Sequence, residues 1–319
     1  MSAPGAQAAQ RWTRIAEVGS AKALRVGGWL AHRLGRRFML ALLWLPALYF
    51  YLRSADARRG SRQYLRRLDA AQGPPPTGPA RGPSACAVLR HLHAFAVNIY
   101  DRILLWSGEL DLARVSHDGS GHIFELAQRG QSALLLGAHL GNVDMLWSIS
   151  REYDLAVNVV VFYRNAARIN GFFESLAPGA RLRAIEIDPG SVDAAFKIKA
   201  CLDRGEFVVM LADRVPPGAT LRTAQVEFLG APARFPLSPF LAAAVLGCPV
   251  YFAGCLRTGE RAYRTLMRPL GPAGRVPRSE REKAAHELLL RYVAELERCC
   301  REQPLQWFNF YEFWPELRA

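Results

Sequence analysis

Four apolar runs, "ALLLGA" (133–138), "VNVVVFY" (157–163), "FVVMLA" (207–212) and "PVYFAG" (249–254), recur along the chain, each six or seven residues long. Short runs rich in Val, Leu and Phe without polar alternation read as strands covered on both faces. Between them lie stretches with helical patterning at 143–152, 168–177, 191–203 and 237–247. Strands joined by helical crossovers predict an α/β fold with a mostly parallel central sheet flanked by helices. A last helix is expected from "SERE", Ser279 to Glu282, a capping-box pattern, through Leu289, Tyr292, Val293 and Leu296 to Cys300.

Ahead of the strand runs the chain changes character. The segment "GPPPTGPARGP" (73–83) cannot continue a helix or a ladder, because proline lacks the backbone donor. We therefore divide the chain into a basic, helical N-terminal segment (1–72), a Pro/Gly-rich linker (73–84) and an α/β domain (85–319). The domain begins with an amphipathic helix over 86–106. It closes on "PLQWFNFYEFWPEL" (304–317), too aromatic to stay wholly in water and expected to pack over the sheet or touch lipid.

Lys and Arg number 41 against 28 Asp and Glu, a formal charge of +13. Nucleic acid, an anionic membrane surface and a phosphorylated substrate all suit such a balance. Its distribution favours the membrane. Arginines crowd 11–37 and 53–67, on either side of "FMLALLWLPALYFYL" (38–52), an uncharged run of 15 residues. As a helix that run is about 22 Å long, short of the roughly 30 Å hydrocarbon core, so an interfacial or re-entrant anchor fits better than a crossing. The flanking arginines then meet lipid phosphates. A buried core helix is the alternative. A nucleic-acid binder would interleave aromatics with its basic residues on one face, whereas the positive charge here is densest around the apolar 38–52 run.

No secretory signal is read, and a cytoplasmic protein face is expected. The six cysteines include no C-x-x-C pair and sit mostly in apolar segments, which argues against a disulfide framework or a zinc site. "SHDGSGH" (116–122) gathers two histidines and an aspartate but too few ligands, so no metal is assigned. His91 and His93 lie on different faces of one helix and are set aside. Neither a G-x-S-x-G nor a phosphate-binding glycine loop is present.

The chemistry concentrates in "LLLGAHLGNVDML" (134–146). A histidine just after a strand and an aspartate just inside the next helix stand at the carboxyl edge of the sheet, where open α/β folds place their sites. Gly141 permits the turn, and Asn142 or Asp144 can cap the helix beginning near Val143. Spacing alone leaves two readings open. Asp144 holds one ring nitrogen of His139 and frees the other to take a proton from a hydroxyl, or both residues belong to an ordinary strand-to-helix turn.

The ordered set H-x4-D, Arg164 in "VFYRNAARIN", "MLADRVPPG", "VEFLGAPARF" and "GCPVYFAG" resembles the blocks of the lysophospholipid acyltransferase-like superfamily. In particular it is similar to the lipid A biosynthesis (lauroyl/myristoyl) branch. The resemblance covers most of the chain. It implies O-acyl transfer from an acyl carrier protein or coenzyme A thioester to a hydroxyl of a lipid or glycolipid acceptor. The implied place is the cytoplasmic face of the cell inner membrane, with the protein peripheral, re-entrant or single-pass.

Carried over by position, His139 is the general base and Asp144 its orienter, with no acyl-enzyme and no bound cofactor. The lipid A branch usually has glutamate where Asp144 stands, so the claim to acyl transfer is firmer than the claim to lipid A. Arg164 corresponds to a substrate-binding arginine, and its fixed charge suits a phosphate; a solvated loop arginine is the alternative. Asp213 and Arg214 fall loosely on the third block, whose glutamate-glycine-threonine-arginine form is absent, and are assigned to substrate binding; a plain ion pair between them is the alternative. Gly230 in "FLGAPARF" offers backbone donors to a head group or an oxyanion, or simply turns a hairpin. Pro249 opens a strand. A non-catalytic protein that keeps the scaffold to hold a lipid or a partner enzyme is the second functional expectation.

Overall fold

A computed structural model describes residues 35–72, 82–106, 108–110, 114–146, 150, 153–161, 181–187, 192–215, 221–271 and 274–314. The chain forms two compact units. The first holds residues up to Leu110 with Leu229–Ala233 and the stretch from Cys300 onward; the second holds Asp111–Phe228 and Arg234–Cys299. The first unit thus runs past the 73–84 segment, and residues 73–81 lie outside the described set.

In the second unit, seven strands form one mixed sheet: β1 (Val115–Asp118), β2 (Leu134–Gly137), β3 (Val157–Val161), β4 (Leu182–Glu186), β5 (Phe207–Leu211), β8 (Val250–Arg257) and β9 (Tyr263–Gly271). Their order is β1-β9-β8-β2-β5-β3-β4. All the pairings are parallel except the β8–β9 hairpin. The expected α/β class and mostly parallel sheet are what is observed. β2 and β8 sit at the centre and bury every residue but Arg257, which explains their unbroken apolar sequences.

Both faces of the sheet are covered. Helix α4 (Ser120–Gln128) sends Ile123 into a cluster with Leu135, Phe207, Val209, Tyr251, Ala253 and Met267. On the other face Tyr292 of α7 (Arg281–Glu302) packs against Phe252 and against Phe240 of α6 (Ser238–Leu246). Its hydroxyl donates to the carbonyl of Gly137 at 2.7 Å. Helix α5 (Val192–Asp203) leads into β5. Strands β6 (Thr223–Phe228) and β7 (Ala231–Pro236) make a separate hairpin, so "FLGAPARF" is a turn between strands.

The capping box at Ser279 does not form. Pro277 occupies the cap position of a short 3-10 turn (Arg278–Glu280) without a side-chain cap bond, and α7 starts only at Arg281. The expected helix over 168–177 lies outside the described residues.

In the first unit, helical turns at 35–42 lead into α1 (Trp44–Arg53), which meets α2 (Ala55–Ala71) at Ser54 with a bend of 100°. The Ser54 hydroxyl accepts from the N–H of Ala57, starting a new helix where the old one stops. Helix α3 is Ala85–Trp106. Trp44 stacks on His93 of α3, whose Nε2–H donates to the carbonyl of Leu40.

The aromatic segment after Glu302 packs on α2 and α3. Trp307 and Trp314 are fully buried, and Gln63 of α2 binds the main chain of Phe313 and Trp314. A Cβ on Gly60 would stand 2.4 Å from the backbone nitrogen of Tyr311, so glycine is what lets α2 and this segment touch. Among the described residues no single helix is long and apolar enough to cross a membrane.

Candidate active site

Parallel pairing in register places Gly137 of β2 opposite Leu211 of β5. Two residues further along each chain stand His139 and Asp213. The N–H of Ala212 donates to the Gly137 carbonyl at 2.9 Å, so the two strand ends remain locked together at this level.

The carboxylate of Asp213 then takes two bonds from one residue. Its Oδ2 accepts from the backbone N–H of His139 at 3.1 Å, and its Oδ1 lies 2.8 Å from His139 Nδ1. The Asp213 side chain is 2% exposed and the His139 ring 31% exposed. One partner is therefore a fixed support and the other faces outward.

Burial opposes the charge on Asp213. The imidazole and N–H of His139 and the nearby Arg214 guanidinium outweigh it and hold the carboxyl well below the usual carboxylate range. An ionised carboxylate can only accept, so Nδ1 must carry the hydrogen. That fixes the tautomer of the neutral ring and makes Nε2 the basic nitrogen.

The contact at Nδ1 thus comes from Asp213, where the sequence pointed to Asp144. Asp144 lies in a one-turn 3-10 helix (Val143–Met145) and is half-buried. Asp213 and Arg214 were expected as substrate-binding residues. The Asp213 carboxylate is bonded to His139, and Arg214 acts on it through its charge. The partner was legible only as "LGAH" and "MLAD", two strand ends with the polar residue in the same place.

The turn after His139 is built for a sharp reversal. Gly141 has φ +57°, a left-handed conformation that favours glycine, and it bridges to Cys255 of β8. Asn142 donates its backbone N–H to the Cys255 carbonyl at 3.0 Å. Asn142 takes the cap position of the 3-10 turn, but its side chain makes no cap bond.

The remaining candidates divide. Arg164 lies outside the described residues. Gly230 is exposed at the tip of the β6–β7 turn with φ +70° and open space where a Cβ would sit. Pro249 directly precedes β8, and its carbonyl accepts from the N–H of Leu134 at 2.9 Å.

In "SHDGSGH", Asp118 forms a two-pronged ion pair with Arg268 and His117 Nδ1 lies 2.8 Å from the hydroxyl of Thr265. Among the described residues no three His, Cys, Asp or Glu side chains gather as a metal site. A carboxylate-held, partly exposed histidine can take a proton from a hydroxyl or a water. No protein-family model matches the chain, and no curated protein matches it.

Proposed function

We propose that the chain is a membrane-associated O-acyltransferase that moves a fatty acyl group from an acyl carrier protein or coenzyme A thioester to a hydroxyl of a lipid or glycolipid. The observation that carries this reading is the Asp213–His139 pair at the carboxyl edge of the sheet. His139 Nε2 takes the hydroxyl proton as the oxygen attacks the thioester carbonyl carbon. The carbonyl π electrons move to oxygen, then return as the C–S bond breaks. The departing thiolate takes the proton from the imidazolium, leaving an ester and a free thiol. Asp213 stabilises the imidazolium between the two steps.

Residues 35–53 support membrane association. Leu45, Tyr49 and Leu52 are 62%, 59% and 66% exposed, Phe38, Trp44 and Leu48 also face outward, and Arg37, Arg53 and Arg59 are exposed near them. Apolar side chains buried at the headgroup boundary with arginines on lipid phosphates suit one leaflet of an anionic membrane. The cytoplasmic face of an inner membrane, where acyl thioesters are made, and a lipid A-type acceptor remain part of this proposal.

The test uses His139→Gln, which keeps a donor for the buried carboxylate but has no basic nitrogen. Labelled acyl-CoA and acyl-carrier thioester are offered separately with a membrane lipid extract. The expected result is transfer by the natural chain and a loss of about 10²- to 10⁴-fold in the variant. Equal transfer by both removes the reading. A scaffold that only holds lipid would bind vesicles and transfer nothing.

A further inference from the structure

The side chain of Asn142 is 1% exposed, and neither its Nδ2 nor its Oδ1 has a hydrogen-bond partner. It stands three residues from His139 in the same turn, and it does not cap the 3-10 helix it precedes. Its backbone is fully used, with the N–H on Cys255 and the carbonyl accepting from Met145 at 3.0 Å. The main chain at Asn142 is thus fixed while its side-chain amide stays idle. Turning the amide over does not help, because both ends lack partners. Buried polar groups are nearly always paired, and an orphaned pair of them three residues from His139 along one turn asks for a ligand.

Resting on the acyl-transfer reading, we propose that Asn142 is a further catalytic residue whose Nδ2–H donates to the thioester carbonyl oxygen as it becomes an oxyanion. The charge to be met develops when the hydroxyl oxygen adds to the carbonyl carbon and the π electrons move to oxygen. A neutral donor held away from water suits it, since it loses no hydration as the charge forms. The base and the donor then come from one turn. His139 takes the proton from the attacking oxygen, and Asn142 steadies the oxygen that gains the electron pair. Gly141, in its left-handed conformation, is the hinge that sets the angle between them.

The test compares the natural chain with Asn142→Leu, an apolar side chain of similar volume, and with His139→Gln as control. Measured are kcat and KM for acyl-CoA, with acceptor and with water alone as nucleophile, together with the melting temperature. The proposal expects kcat to fall about 10²- to 10³-fold with KM within about threefold. It also expects a melting temperature unchanged or raised, because an unpaired buried amide has been removed. Asn142→Ser, which restores a donor, regains part of the rate.

An Asn142→Leu protein with full kcat while His139→Gln is inactive overturns this proposal and leaves the acyl-transfer reading standing. Equal rates for all the proteins overturn both. Should the leucine variant fail to fold, Asn142→Ala takes the same measurement, and full kcat in its folded fraction overturns the proposal.

Discussion

His91 in the helical unit and His139 in the sheet unit are the same side chain put to opposite uses. His91 is wholly buried, its Nε2–H donating to the carbonyl of Trp307 at 3.0 Å and its Nδ1 accepting from Ser61 at 2.9 Å. Burial pushes its pKa down to about 4, with the bond to Trp307 opposing that fall only in part. His139 has a carboxylate on one nitrogen and keeps a third of its ring exposed. The first ties helices to the aromatic segment between Phe308 and Phe310; the second has the setting in which a ring can exchange a proton. Partner charge and exposure separate the two histidines, and neither is visible in the residue type.

The sharpest way to break the contrast is to exchange the losses. His91→Ala should cost about 3 to 5 kcal/mol of stability, since it opens a cavity and strands the Ser61 hydroxyl and Trp307 carbonyl. Activity per folded molecule should stay unchanged. Denaturant unfolding with an active-site titration checks both. A His91→Ala protein that is stable but inactive would merge the two roles.

A somewhat smaller effect is set by pH. His91 is neutral when folded down to about pH 4, whereas the unfolded chain binds its proton near pH 6.5. Between these values the unfolded state holds more protons, so stability is full above pH 6.5 and falls as the pH drops towards 4. The loss amounts to about 3 kcal/mol. Melts of the helical unit across that window should follow this slope, and His91→Gln should flatten it.

The smallest effect concerns α1. Leu48→Asp with Leu52→Asp changes two outward side chains, so the fold should persist while partition onto anionic vesicles falls at least about tenfold. Unchanged partition would assign the exposed face to something other than lipid.

The sequence made the central sheet legible where strands are buried on both faces. β2, β3, β5 and β8 announced themselves as apolar runs. β1 "VSHD", β4 "LRAIE" and β6 "TAQVEF" did not, because they lie at an edge or in the separate hairpin and carry polar residues among few apolar ones. β9 "YRTLMRPLG" is broken by two arginines and a proline.

The site was half legible. His139 stood out through its turn, but its partner is 74 residues away and meets it only because β2 and β5 are neighbours in register. Strand order is a property of the whole sheet, and no local spacing records it. Asp144 is the nearer carboxylate in sequence, and the one on Nδ1 comes from the end of β5. Asn142 shows the same limit, since an ordinary capping residue by sequence is an idle buried amide in the fold.

Asp213 is the group that sets the tautomer of His139. The direct measurement is the initial rate of acyl transfer for Asp213→Asn beside Asp144→Asn, both verified as folded. We predict a loss of about 10²- to 10⁴-fold for Asp213→Asn, because an amide no longer fixes hydrogen on Nδ1, and a smaller loss for Asp144→Asn. Full transfer by Asp213→Asn, with Asp144→Asn inactive, would contradict it.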